Sequence, residues 1–304
     1  MKSIRIGTRG SPLALIQTQE VMNKLLEHHP FLKGRLKIVP IKTTGDTIVD
    51  RSLIDLGGKS LFTKEIEYSL LKEEIDLAVH SMKDVTVNCL EGLLFTAMLE
   101  REDPRDALIS RQGISLDTLP KGALFGTSSL RRQAYVLNKF PHVTPISLRG
   151  NVGTRIEKIK TGEADAILLA VAGLKRLGLM AEITQILSLE DCLPAVAQGA
   201  IGIQCREKDF ELLELLSSIN HPVTFSTVTA ERAFMKTLNG SCRTPIAAYA
   251  TLEGEILTLK GMTSDPNGHN MRFVTHKGFS SHPKEIGCEA ANILLKEGTC
   301  LTFS

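Results

Sequence analysis

Ala123-Leu124-Phe125-Gly126-Thr127-Ser128-Ser129-Leu130-Arg131-Arg132-Gln133 reads as a short apolar strand, a corner of small hydroxyl residues and the start of a helix near Leu130 to Phe140. The same plan opens the chain. Ile4-Arg5-Ile6-Gly7-Thr8-Arg9-Gly10-Ser11 is a strand and a tight turn, and a helix follows from Leu13 to His28. A second pair of segments matches in turn. Glu74-Ile75-Asp76-Leu77-Ala78-Val79-His80-Ser81 and Ala164-Asp165-Ala166-Ile167-Leu168-Leu169-Ala170 each carry a helix end, an Asp and a continuous apolar run. Such a run suggests a buried parallel strand. Strands alternating with helices, twice over, predict two α/β units. Ligands in such sheets bind beyond the carboxyl ends of the strands. Ser11, Ser81, Ser129 and Arg149 all fall at such ends. Two similar domains facing one another would place these positions across a shared cleft.

The second segment of this kind, Ser147-Leu148-Arg149-Gly150-Asn151-Val152-Gly153-Thr154-Arg155, also turns from strand into helix. Free backbone N–H groups at a helix start, beside guanidinium forks, make an anion site. One arginine at a helix end is ordinary surface decoration. Arg131, Arg132, Arg149 and Arg155, all at strand-to-helix corners, point instead to a ligand with several carboxylates or phosphates.

The bulk of the 304-residue chain agrees with a local site rather than a global one. Hydrophobic residues make up 42% and charged residues 23%, as in ordinary globular proteins, and the net charge is only +2. That charge carries no signature of a polyanion binder. The apolar run from Ala166 to Leu174 is too short to span a bilayer. Met-Lys-Ser-Ile-Arg-Ile leads straight into a strand without a signal-peptide core, so a soluble, cytoplasmic protein with no membrane partner is expected. The six cysteines form no C-x-x-C pair and have no histidine at zinc-finger spacing. No metal and no disulfide are expected.

Glu100-Arg101-Glu102-Asp103-Pro104-Arg105-Asp106 reads as a crossing into a second domain, and Leu193-Pro194-Ala195-Val196-Ala197-Gln198-Gly199-Ala200 as a crossing back. Ile201 to Cys205 then returns to the first sheet as a strand. From His221-Pro222 a third region begins: a helix over Thr224 to Leu238, and strands over Ala247 to Lys260 and Met271 to His276. The turn Ser264-Asp265-Pro266-Asn267-Gly268 joins those strands, and a last helix, Pro283 to Lys296, packs on them. The expected domains are residues 1–99 with 194–218, residues 100–193, and residues 219–304.

Three further features bear on chemistry. Lys83 and Asp84, in Val79-His80-Ser81-Met82-Lys83-Asp84-Val85, are a base and an acid at a strand end; they read either as a local ion pair or as groups that steady a developing cation. His80 reads as structural. The stretch Thr43 to Thr63, with Gly57-Gly58-Lys59, lacks a clear period; it is either a surface connector or a mobile lid that carries Lys59 over the cleft. Cys242, in Leu238-Asn239-Gly240-Ser241-Cys242-Arg243-Thr244-Pro245, lies in a loop beside an arginine that favours thiolate. It reads as a reactive thiol or as a loop cysteine packed under the third domain.

Taken together, Thr8 to Leu15, Val79 to Val85, Glu100 to Asp106, Gly126 to Gln133, Ser147 to Arg155, Leu169 to Leu179 and Leu193 to Arg206 resemble the porphobilinogen deaminase (hydroxymethylbilane synthase) family. The match runs in order over nearly the whole chain and is weakest after about Tyr249. The chain departs from the family pattern at Ser241, where glycine is usual, at Thr44, where arginine is common, and at Ala197. The resemblance implies a transferase of tetrapyrrole (haem) biosynthesis. It would join four porphobilinogen molecules with loss of ammonia to give hydroxymethylbilane, and work as a monomer. It also implies a dipyrromethane cofactor held by a thioether to Cys242. The implied fold is α/β: two similar α/β domains around a cleft, periplasmic-binding-protein-like, plus a small α+β C-terminal domain that carries Cys242. By the same resemblance Ser81, Lys83, Thr127, Ser128, Ser129, Arg131, Arg132, Arg149 and Gly150 would hold the cofactor. Arg9, Ser11, Gln17, Arg149, Arg155, Ala170, Arg176 and Gln198 would bind incoming or growing pyrroles, which carry acetate and propionate groups. Asp84 would be catalytic, stabilising the cation left when ammonia departs.

Two rivals remain at this level. A non-enzymatic binder of the periplasmic solute-binding type would explain arginines and cleft but has no use for Cys242. Nucleic-acid binding fits poorly with a small net charge, no Trp and only three Tyr.

Overall fold

The structure, a computed structural model, describes residues 3–47, 62–240 and 244–296. Lys59, with most of the expected lid, and Cys242 lie outside the described residues. The chain divides into two compact units, Met1–Glu102 with Gly199–Phe225, and Asp103–Gln198 with Ser226–Ser304.

In the first unit β1 (Ile4–Arg9) feeds α1 (Pro12–His28) through the corner seen in the sequence. Ser11 caps α1, its Oγ accepting from Ala14 N at 3.3 Å, and Pro12 sits in the first turn, where a missing N–H costs nothing. Then come β2 (Leu36–Ile41), a single helical turn α2 (Thr44–Thr47), α3 (Lys64–Leu71), β3 (Leu77–Ser81) and β4 (Leu93–Met98). The second unit holds β5 (Asp106–Ser110), β6 (Leu124–Gly126), α4 (Leu130–Lys139), β7 (Thr144–Ile146), α5 (Val152–Lys160), β8 (Ala166–Ala170), α6 (Val171–Arg176) and β9 (Gln185–Ile186). The chain returns to the first sheet as β10 (Ile201–Arg206), followed by α7 (Phe210–Ser217).

The strand order is β2-β1-β3-β10-β4 in the first sheet and β7-β6-β8-β5-β9 in the second. These are the same plan. In each, three parallel strands are followed by a fourth that runs antiparallel to both neighbours. The expectation of parallel pairing for β3 and β8 therefore holds on one edge only. The reason is connectivity: β5 and β10 arrive directly from the segments that join the units, not through a helical crossover. Their neighbours are nevertheless buried on both faces. Leu77 and Val79 of β3 pack with Val21 and Leu25 of α1, while Ala78 faces Ile66 and Leu70 of α3. In the second sheet Phe125, Ala166 and Leu168 meet Tyr135 and Val136 of α4, and Ile167 and Leu169 meet Ile156 and Ile159 of α5.

After α8 (Pro222–Thr237) comes a three-stranded antiparallel sheet of β11 (Ile246–Glu253), β12 (Ile256–Thr263) and β13 (Arg272–Phe279), with α9 (Pro283–Lys296) against it. The span expected as Ala247 to Lys260 is two strands, because Gly254 at φ +60° makes a tight turn inside it. The α/β pair with a small α+β end is thus the fold the sequence predicts. Among the described residues no helix is long and apolar enough to cross a membrane.

Candidate active site

In the second unit the corner after β6 is built around a carboxylate that sequence reasoning did not single out. Asp106 opens β5, fully buried, directly across from Ala170 of β8. Arg131 Nη2 donates to its Oδ2 and Arg132 Nη2 to its Oδ1, each at 2.7 Å. Gln198 Nε2 donates to Oδ1 at 2.9 Å and to Pro104 O at 2.7 Å. Arg131 Nη1 is also spent, on Leu193 O at 2.8 Å. Burial alone would push the Asp106 carboxyl up, but the charges of Arg131 and Arg132 prevail and hold it well below the usual carboxylate range. Cys192 Sγ lies 3.7 Å from Asp106 Oδ2. Burial, and then the Asp106 charge, pushes its thiol up to about 12, so it stays protonated and can donate.

This fork has one positive charge more than its carboxylate, and it keeps unused donors: Nε of Arg131 and of Arg132 are buried without a hydrogen-bond partner. A buried donor left unpaired costs about 1–3 kcal/mol. An anionic ligand at the edge of Arg132 would satisfy both the excess charge and the geometry. Ser129 caps α4, its Oγ accepting from Arg132 N at 3.5 Å, and Thr127 Oγ1 accepts from Ser129 N at 3.1 Å. Ser128 Oγ donates to Leu148 O at 3.0 Å and so ties this corner to the next. There Gly150, at φ +125°, turns its carbonyl to accept from Arg155 Nε at 2.8 Å, and Asn151 caps α5. Arg149 lies in this same turn; Ala170 ends β8 where α6 begins, and Arg176 ends α6. The residues present therefore fit a polycarboxylate such as dipyrromethane, with Arg132, the helix starts and the Arg149–Arg155 turn able to hold it.

The first unit gathers a different set. Arg9, Ser11, Gln17, Phe62, Ser81 and Asp84 line a small cavity of about 50 Å³. Ser81 Oγ donates to Gln17 Oε1 at 2.7 Å. Arg9 binds Asp46 through Nε and Nη2, stands over the Phe62 ring at 4.3 Å, and has Nη1 3.9 Å from Asp84 Oδ2. Asp46 is steadied further by Thr43 Oγ1, which donates at 2.7 Å. Burial pushes its pKa up, but the bonds from Arg9 and Thr43 outweigh it and leave the carboxyl below its ordinary value. Asp84 ends a short 3-10 turn after β3, half-exposed, with Lys83 before it. His80 is structural: it is buried, with Nε2 3.1 Å from Gln204 Oε1, and Gln204 Nε2 donates to Glu67 at 2.9 Å.

The structure thus collects Arg9, Ser11, Gln17, Ser81 and Asp84 in the first unit, and Thr127, Ser128, Ser129, Arg131 and Arg132 at one corner of the second. Gln198 belongs to the Asp106 network, buried, rather than to an open wall. Sequence reasoning missed Asp106, Asp46 and Phe62. For Asp106 the available signal was an acid at the head of the apolar strand Ala107-Leu108-Ile109.

Comparison with known proteins finds two family matches. One, described as "Porphobilinogen deaminase, dipyromethane cofactor binding domain", covers residues 4–214; the other, "Porphobilinogen deaminase, C-terminal domain", covers residues 225–296. Porphobilinogen deaminase of Alkaliphilus metalliredigens (strain QYMF) is 45% identical over 98% of this chain and 94% of its own length. The chloroplastic porphobilinogen deaminase of Oryza sativa subsp. japonica is 49% identical over 90% of this chain and 78% of its own. That of Pisum sativum is 48% identical over 96% and 81%.

Proposed function

The chain belongs to the porphobilinogen deaminase family, and from that premise we propose how its residues carry out the family's reaction. It is a transferase that joins four porphobilinogen molecules into hydroxymethylbilane, using a dipyrromethane cofactor. The observation that carries the reading is the buried Asp106–Arg131–Arg132 fork with its excess positive charge and unpaired Nε donors.

When bound, the dipyrromethane supplies the pyrrole end to which new units are added. Each addition breaks the aminomethyl C–N bond of one substrate molecule and forms one C–C bond. The proton displaced from the pyrrole α-carbon balances the departing ammonia, and release of the finished tetrapyrrole takes up one water, which becomes its hydroxyl group. Cys242 carries the thioether. Asp106 locks Arg131 and Arg132 in one geometry, and Gln198 locks Asp106, so the carboxylates of the primer meet fixed donors that need no reorganisation. Arg149, Arg155 and Arg176 take the carboxylates of growing units. Asp84, with Arg9 beside it, stabilises the pyrrole cation as ammonia leaves and moves the proton. Arg9 exchanges Asp46 or Asp84 for a substrate carboxylate at little cost, because all three groups reach solvent. The C-terminal α+β region, residues 219–304, acts as a third domain, and the protein works as a cytoplasmic monomer.

Incubation with porphobilinogen should release one ammonia for each molecule consumed and yield a linear tetrapyrrole. Binding of porphobilinogen without ammonia release would return the chain to the solute-binding reading.

A further inference from the structure

The turn predicted at Ser264 to Gly268 does more than join β12 to β13. It is docked on α4, the helix whose first turn carries Arg131 and Arg132. Gln133 Nε2 donates to Pro266 O at 3.1 Å, and Asn138 Nδ2 donates to Gly268 O at 2.9 Å. Gly268 lies at φ +78°, and a Cβ there would stand 2.4 Å from Ala134 O and 2.8 Å from Asn138 N, both backbone atoms. Only glycine meets both conditions. The turn is also stiff. Gly268 N donates to Asp265 O at 2.9 Å, Asp265 N to His269 O at 3.0 Å, and Asn270 Nδ2 to Asp265 Oδ2 at 2.8 Å. Its other end is fixed to the segment that follows the attachment cysteine: Ser264 N donates to Pro245 O at 3.1 Å, and Pro245 stands three positions after Cys242.

One rigid turn therefore holds, by hydrogen bonds at its two ends, the chain beside Cys242 and the helix that presents the arginine fork. A primer attached at Cys242 and gripped through its carboxylates at Arg131 and Arg132 needs a set distance between those points. We infer that the Ser264–Gly268 turn is the spacer that sets it, and that Gly268, Gln133 and Asn138 are positioning residues for loading the dipyrromethane. The inference rests on the proposed function above.

The test follows the gain in intact mass of cofactor-free protein incubated with porphobilinogen, which reads loading and not turnover. Misplacement of about 1 Å far from the reacting atoms slows a step by about 100-fold. Gly268→Ala should therefore load about 10- to 100-fold more slowly than the unaltered chain. Gln133→Ala with Asn138→Ala, which deletes two hydrogen bonds and adds no bulk, should also load slowly, and Asn138→Gln, which keeps an amide donor, should restore part of the rate. Val274→Ala, which removes buried volume from β13 and leaves the turn's hydrogen bonds to α4 in place, serves as the stability control and should load at the normal rate. Normal loading by both Gly268→Ala and the double variant overturns the inference. So does equal slowing by Val274→Ala, since loading would then follow stability and not docking. An unaltered chain that gains no mass overturns the proposed function instead, and is told apart by that.

Discussion

The two sheets share one strand order, and in both the corner after the second strand of that order, β1 or β6, is capped by a serine, Ser11 or Ser129. Yet one corner is open and the other closed. In the first unit the side chains of Arg9 and Asp84 are 25% and 39% exposed, whereas in the second Arg131 is 4% and Asp106 0%. The difference traces to one register position. The antiparallel fourth strand starts with Ile201 opposite Ser81 in the first sheet, and with Asp106 opposite Ala170 in the second. An isoleucine there joins the core. A carboxylate there must be paired, and it draws in two guanidiniums. The same scaffold thus yields a fixed cationic fork, suited to a ligand that stays, and a loose acid–base set, suited to ligands that come and go.

Breaking the closed corner should have the largest effect. Asp106→Asn leaves two buried guanidiniums without their carboxylate and should cost about 3–5 kcal/mol of stability, measured by urea unfolding. Its acid response should change as well. Asp106 has a folded pKa below its unfolded value, so its stabilisation is present above about pH 4 and is lost as pH falls towards the folded value. The unaltered chain should therefore lose stability below about pH 4 more steeply than Asp106→Asn does.

In the open corner the effect should fall on rate. Asp84→Ala should keep the fold and substrate binding while turnover drops by about 100- to 1,000-fold, as for loss of one electrostatic stabiliser. Near-normal tetrapyrrole output would remove Asp84 from its assigned role. Smaller again is Ala197→Gly. Ala197 sits at φ +60°, its N–H donating to Glu231 Oε2 at 2.7 Å, and the left-handed region costs an alanine about 1–2 kcal/mol. Part of the relief is offset by the added freedom of the unfolded chain, so a gain of up to about 1 kcal/mol is expected in thermal unfolding. Asp46→Asn, which breaks a pair open to solvent, should cost no more than about 1 kcal/mol. If it cost as much as Asp106→Asn, the contrast between the corners would fail.

Much of this was legible in the sequence. The apolar runs of β3 and β8, the Ser-Pro start of α1 and the hydroxyl corner before α4 are local signals, and the four helices given bounds from the sequence, α1, α4, α8 and α9, fall within a residue or two of them. What stayed hidden is non-local. Asp106 belongs beside Arg131 because of sheet register, which no spacing along the chain encodes. Phe62 under Arg9 brings together two positions far apart in sequence, which no local pattern encodes. The Ser264–Gly268 turn was visible as a turn, but its seat on α4 was not. The positive φ of Ala197 had no signal in its residue type.

We propose that this chain builds its own primer on Cys242 and grips it at the closed corner. The most direct measurement is the intact mass of the purified chain, beside Cys242→Ser, after incubation with porphobilinogen. A stable excess equal to a dipyrromethane is expected on the unaltered chain and none on Cys242→Ser. An unmodified mass on both, or the same excess on both, would contradict it.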